Sequence, residues 1–207
     1  MRARVIVLAG PSGSGKSRLS RRIGLPVLNL DDFYKDGRDP SLPRIDLGHE
    51  SIVDWDDPAS WLLDEAVAAI DALCREGSVD VPVYDLAHDG RAGHRVLDLG
   101  GAAFFVAEGI FAQEVVAGCR DRGLLADAIC VRNHRGVTFW RRLTRDLRER
   151  RKHPLVLLRR GLMLLRDEPR VVAHAVELGC TPMTSEEAYR HLTLLVGSRR
   201  HDPRRGT

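Results

Sequence analysis

The sequence predicts an α/β protein, a parallel sheet wrapped by helices, and three observations carry that reading. First, Val5-Ile-Val-Leu-Ala9 is apolar at every position and too short for a helix, the pattern of a strand buried on both faces. Second, Gly10-Pro-Ser-Gly-Ser-Gly-Lys-Ser17 follows it directly and reads G-x-x-x-x-G-K-S, the phosphate-binding P-loop, with a helix-competent stretch after it. Third, short apolar runs alternate with helical patterns along the rest of the chain, which implies right-handed crossovers in one parallel sheet. The expected architecture is the P-loop NTPase fold with a small β-hairpin and a helical lid.

In order, Leu25-Pro-Val-Leu-Asn-Leu30 is a second strand, placing Asp31 at the C-terminal edge of the sheet beside the P-loop strand. Residues 36–57 are rich in Gly, Pro, Asp and Arg and read as a loop. Pro58 to Gly77 reads as one helix, with Pro near its start, an apolar face through Leu62, Ala66, Ile70 and Leu73, and Gly77 as the stop. Val79–Asp85 and Arg95–Leu99 read as a hairpin around a polar loop from His88 to His94, with Pro82 suiting an edge. Ala102 to Gly109 is the central strand. Ile110–Arg122 reads as helix, Ala126–Arg132 as strand, Val137–Lys152 as an arginine-laden helix, and Leu155–Leu165 as a further helix. Val171–Leu178 has helical character, and His191–Val196 is expected as a last strand.

The chain of 207 residues is expected to be one domain over 1–198, with a basic tail at 199–207. Its formal charge is +3, and Lys16, Lys35 and Lys152 are its only lysines. Four scattered cysteines, without a C-x-x-C, suit a reduced compartment rather than a disulfide frame or a zinc site. The first strand begins almost at once and the apolar runs are short and interrupted, so neither a leader nor a membrane span is expected. A cytoplasmic location is expected. Mixed charge with 5% aromatic residues gives no basic aromatic face for nucleic acid.

Several groups carry chemistry. Gly10, Ser12, Gly13, Ser14, Gly15, Lys16 and Ser17 form the ATP-binding set: the glycines let backbone N–H groups close around phosphate, Lys16 reaches the β- and γ-phosphates, and Ser17 ligates Mg²⁺. Asp31 is placed to orient an acceptor hydroxyl and take its proton, while Asp32 beside it suits a turn cap. Glu108, ending the Phe104–Ala107 run, is a metal-holding acid beside Ser17, and Gly109 leaves room for phosphates or acceptor. Arg142 and Arg145, three apart on one helix, suit a lid closing over the triphosphate, although a solvated helix face produces the same stripe. The hairpin offers Tyr84 and His88 for stacking and hydrogen bonding.

These pieces, in this order, resemble the uridine kinase family, close to phosphoribulokinase and the nicotinamide riboside kinases. The resemblance runs from Val5 to about Val196. It rests on the P-loop, Asp31-Asp-Phe-Tyr-Lys35, Trp55-Asp-Asp-Pro58, Pro82-Val-Tyr-Asp85, Glu108-Gly-Ile110 and Arg142-Leu-Thr-Arg-Asp146. It implies Asp31 as catalytic acid, Tyr34, Trp55 and Tyr84 as nucleoside-contacting aromatics, and Arg142 and Arg145 as lid arginines. Trp55 stands where the family usually has Phe, Leu86 replaces a Phe, the hairpin His is expected one place after His88, and Arg150-Arg151-Lys152 replaces Arg-Gly-Arg. The implied activity is Mg²⁺-ATP-dependent phosphorylation of the 5′-hydroxyl of a nucleoside, uridine or cytidine foremost. Two readings stay open beside it: a kinase for another ribosyl or small hydroxylated metabolite, and a nucleotide-binding regulatory protein without phosphotransfer. The partner is a small-molecule acceptor, with no nucleic acid or membrane, and a homo-oligomer is left open.

Overall fold

Alternate residues of the first strand, β1 (Arg4–Ala9), feed two different layers. Val5, Val7 and Ala9 pack into one apolar cluster, and Ile6 and Leu8 into another, as the two-residue period of a strand requires. Both layers are helical, so the strand is apolar throughout. The computed structural model describes residues 2–46, 51–85, 88–132 and 169–200. Its described elements continue with α1 (Lys16–Ile23), β2 (Val27–Asn29), β3 (Arg44–Asp46), β4 (Ser51–Val53), α2 (Leu63–Glu76), β5 (Ser78–Asp85), β6 (Gly90–Asp98), β7 (Phe104–Glu108), α3 (Val115–Asp121), β8 (Leu125–Val131), α4 (residues 169–177), β9 (Thr181–Met183) and α5 (Ser185–Arg200).

The main sheet has the order β2-β7-β1-β8-β9, and all its pairings are parallel. Helices α2 and α3 cover one face through Ala66, Ile70, Leu73, Val115 and Cys119. Helices α1 and α5 cover the other through Leu19, Ala188 and Leu192. The register sets Leu8 and Asn29 level with Glu108, so β1, β7 and β2 end together at the carboxyl edge of the sheet. That edge is where open α/β sheets take ligands. The parallel-sheet fold expected from sequence is therefore the one observed. One detail differs: β2 is not beside the P-loop strand, because β7 lies between them.

Other boundaries shift for local reasons. The helix expected from Pro58 divides. Asp57 Oδ1 accepts from Ala59 N at 2.8 Å and closes a 3-10 turn, Trp61 then runs extended in a bridge with Tyr34, and α2 starts at Leu63. Gly77 ends α2 in the left-handed conformation, its N–H bonded to Leu73 O. The loop at 36–57 contains the exposed β3–β4 ribbon. The hairpin's second strand begins at Gly90, so most of the expected loop is ladder. In the stretch expected as helix from Ile110, a 3-10 turn at Ala112–Glu114 precedes the shorter α3.

The last expected strand, His191–Val196, is overturned: it lies inside α5. The start of that helix is set by Thr184 and Glu187. Thr184 N donates to Glu187 Oε2 at 2.8 Å and Glu187 N donates to Thr184 Oγ1 at 3.3 Å, a reciprocal capping box. Ala188 and Leu192 then recur at helical spacing on the buried face, while Leu194 is 75% exposed. The final strand is β9 instead, three residues that include Pro182 at the sheet edge. Helix α5 also runs two residues past the expected domain end at 198. The expected helices Val137–Lys152 and Leu155–Leu165 and the tail from His201 lie outside the described residues.

Candidate active site

A cleft of about 640 Å³ opens at the carboxyl edge, lined by the P-loop, the turn after β2, the end of β7 and the hairpin. Its floor is the P-loop. Gly10, Gly13 and Gly15 have φ of 130°, 83° and 97°, a region L side chains rarely enter, and a Cβ on Gly10 would sit 2.4 Å from Val131 O. Gly15 caps α1, whose first residue is Lys16, so the positive end of the helix faces the cleft. Lys16 Nζ donates to Gly10 O at 2.6 Å and to Pro11 O at 3.2 Å. Ser12, Gly13, Gly15, Lys16 and Ser17 line the cleft, whereas Ser14 is fully buried beneath it.

Asp31 sits in a 3-10 turn, Leu30–Phe33, which Asn29 opens by accepting from Asp31 N at 3.3 Å. Asp31 Oδ1 accepts from Ile110 N at 2.8 Å, which ties the turn to the end of β7. Burial pushes this carboxyl above the ordinary aspartate range; the Ile110 N–H and the Lys16 charge pull the other way, and Asp32 adds a further upward push. Gly109 makes the approach possible: a Cβ there would lie 2.8 Å from Asp31 Oδ1 and 2.8 Å from Leu30 Cβ. The space expected to serve phosphates or acceptor is thus occupied by Asp31 itself. Asp32 turns away to the hairpin, where it accepts from Tyr84 N at 3.3 Å and faces Arg95 at 3.7 Å.

Glu108 lines the cleft, its Oε2 2.9 Å from the hydroxyl of Ser20 on α1. Beyond Asp31 the wall is aromatic. Tyr34 packs against Trp55 at 5.7 Å and Tyr84 at 5.6 Å between ring centroids, and its hydroxyl donates to Trp55 O at 3.2 Å. The Tyr84 phenol oxygen is buried without a hydrogen-bond partner among the described residues; burial, and then the charges of Asp89 and Asp36, hold its pKa up at about 12. It therefore keeps its proton at neutral pH.

Of the residues named from sequence, the structure gathers Ser12, Gly13, Gly15, Lys16, Ser17, Asp31, Tyr34, Trp55, Tyr84 and Glu108 around one cleft. His88 is not among them. It is exposed, its Nδ1 2.6 Å from Asp85 Oδ2, and it lines a separate hollow with Arg38 and Arg91. Arg142 and Arg145 lie outside the described residues. Asn29, Asp56, Asp89 and Ile110 line the cleft and were not read as site residues.

The profile of the family described as "Phosphoribulokinase / Uridine kinase family" matches residues 5–154, well over half of the chain. The chain belongs to the phosphoribulokinase / uridine kinase family. Membership makes it a kinase. Among its relatives in this family, a uridine kinase of Deinococcus deserti is 33% identical over 173 residues, covering 78% of this chain and 77% of that protein. A uridine kinase of Schizosaccharomyces pombe is 31% identical over 158 residues, covering 72% of this chain but 33% of the longer relative. A solved structure titled as a putative fructose transport system kinase from Silicibacter superposes with a TM-score of 0.60 at 20% identity, covering 83% of this chain and 85% of that one. That likeness concerns the fold. Glu108-Gly-Ile110, one of the stretches that carry the sequence resemblance, has a local explanation here: the Glu faces α1, the Gly admits Asp31, and the Ile N–H holds it.

Proposed function

We propose that this kinase transfers the γ-phosphoryl group of ATP to the 5′-hydroxyl of a nucleoside, with uridine and cytidine as the leading acceptors. The observation that carries the reading is Asp31: a largely buried carboxylate, fixed by a backbone N–H, in the same cleft as the P-loop lysine. Its position suits a general base whose proton affinity has been raised by burial.

In the proposed reaction the triphosphate lies over the P-loop, with Lys16 and the loop amides against its β- and γ-phosphates. The acceptor lies between Asp31 and the Tyr34, Trp55 and Tyr84 rings. The acceptor oxygen forms a bond to γ-phosphorus as the bond from phosphorus to the β-bridging oxygen breaks. The hydroxyl proton passes to Asp31, and ADP leaves. Lys16 neutralises charge on the transferring group, where preorganised cations count most. Ser17 and Glu108 are hard oxygen donors that both line the cleft and fit Mg²⁺, which takes one or two protein ligands and completes its shell with phosphate and water. When bound, the ion would neutralise the β,γ-oxygens. Arg142 and Arg145 are assigned to the lid on the family resemblance.

The test is product detection by mass spectrometry after incubation with Mg²⁺-ATP and a panel of nucleosides and ribosylated vitamins. A 5′-monophosphate formed from uridine or cytidine supports the assignment. ATP consumption that is indifferent to every acceptor would overturn it in favour of a nucleotide switch.

A further inference from the structure

The cleft is segregated by charge. Its cationic lining residues, Lys16, Arg18 and Arg21, all belong to the P-loop and α1. Around the aromatic end the described charged lining residues are acids: Asp31, Asp56 and Asp89. The nearby arginines of the hairpin are engaged elsewhere. Arg91 Nη2 donates to Glu65 Oε2 at 2.5 Å, and Arg95 faces Asp32.

The backbone of Asp89 is fixed by its turn. Among the described residues it is the one non-glycine with positive φ, at 46°. Left-handed backbone is tolerated by Asp and Asn but is uncommon, and an outlier of this kind motivates a search for function. Its carbonyl accepts from Gly37 N at 2.6 Å, and a Cβ on Gly37 would fall 2.9 Å from Asp89 Cβ. The turn after Tyr34 and the hairpin tip are thus locked together, and Asp89 is left on the ridge between the cleft and the hollow lined by Arg38 and Arg91. Tyr84 lines the cleft beside it, its phenol oxygen buried under the aromatic wall.

We infer that Asp89 is a specificity-determining residue: it selects acceptors whose ring carries a positive charge or N–H donors at the hairpin end, and disfavours acceptors carrying a carboxylate or phosphate there. This rests on the proposed acceptor end of the cleft. The aromatic walls hold a planar ring. The Asp89 carboxylate then accepts from ring N–H groups or balances a ring cation, and an anionic group in the same place meets the like charge of Asp89 and Asp56, while Arg38 lines the neighbouring hollow rather than the cleft.

The experiment compares two probes that share a ribosyl group and differ at the ring: nicotinamide riboside, a cation, and nicotinic acid riboside, which adds a carboxylate. Binding is measured by calorimetry, and phosphotransfer as kcat/KM, for the wild type and Asp89→Asn. Asn keeps the shape and the left-handed tolerance, so the variant is expected to fold. Attraction for one probe and repulsion of the other add, giving a wild-type preference of ~10-fold for nicotinamide riboside, and Asp89→Asn should reduce it to about 2-fold or less. Cytidine, with its amine donor, should likewise lose more affinity than uridine in the variant. Equal affinities in the wild type, or a preference unchanged in Asp89→Asn, would overturn the inference. Phosphotransfer without charge preference removes the inference alone. Charge-selective binding without phosphotransfer removes the kinase assignment of the acceptor alone. No binding of any probe removes both.

Discussion

Replacing Gly109 with Ala should slow the kinase by shifting Asp31, with every catalytic side chain chemically unchanged. The added Cβ would lie 2.8 Å from both Asp31 Oδ1 and Leu30 Cβ, against a floor of about 3.4 Å for ordinary contact. Something must move by ~0.6 Å. Leu30 is fully buried and cannot yield easily, and its carbonyl is held by Trp61 Nε1 at 2.7 Å. Asp31 is the softer side, so the carboxylate is displaced and its bond to Ile110 N stretched. Overpacking of this kind costs ~1–3 kcal/mol of stability. A misplacement approaching 1 Å at a reacting group costs up to ~10²-fold in rate, so a loss of ~10–100-fold in the transfer step is expected. The assay is single-turnover phosphotransfer at saturating acceptor, with ATP affinity by titration and the melting temperature recorded beside it. ATP affinity should stay within ~3-fold, since the P-loop is untouched. A folded Gly109→Ala protein with wild-type transfer would refute the claim that close packing positions Asp31.

Lys16→Ala removes the charge that faces the β- and γ-phosphates and should lower turnover by ~10²-fold or more while the melting temperature changes little; near-normal turnover would refute the phosphate-site assignment. Asp32→Ala breaks its bond to Tyr84 N and its pairing with Arg95. It should cost ~1 kcal/mol and raise the KM for acceptor more than that for ATP, and equal effects on both would count against Asp32 as the hairpin's tether. The pH profile of the transfer step has a definite sign. Burial raises the Asp31 carboxyl, so protonated, inactive enzyme persists to higher pH than an ordinary aspartate would allow. The acid limb of kcat/KM should therefore lie above the usual carboxylate range and vanish in Asp31→Asn; a limb at an unshifted position would contradict the buried-base description.

The P-loop was legible because its function demands a contiguous pattern, with glycines at fixed offsets between a strand and a helix. The parallel sheet was legible for a similar reason: strands buried on both faces read as unbroken apolar runs. The last element was misread because His191-Leu-Thr-Leu-Leu-Val196 is apolar in a short window, although Thr184 and Glu187 already spelled a helix start. Local runs of six residues do not separate strand from buried helix, and capping chemistry does. The site divided in the same way. Asp31 and Glu108 could be named because each ends an apolar run. The backbone N–H of Ile110 that holds Asp31 could not, since it is 79 residues away and set by the β2–β7 pairing. At the hairpin tip sequence favoured His88 as the polar group, whereas the left-handed turn at Asp89 sets the aspartate on the cleft wall and leaves the histidine outside. Side-chain direction at a turn depends on φ, which composition does not reveal.

Asp31→Asn tests the central claim most directly, because it keeps the oxygen that accepts from Ile110 N and removes only the charge and the proton-accepting capacity. ATP affinity and phosphotransfer should be measured on the same preparation, the first by titration and the second in a single turnover with excess enzyme. The account predicts undiminished ATP affinity, a melting temperature equal to or above the wild type because a costly buried charge is gone, and transfer slower by ~10²–10⁴-fold. Transfer within a few-fold of the wild type, in a folded Asp31→Asn protein that binds ATP, would show that another group takes the acceptor proton.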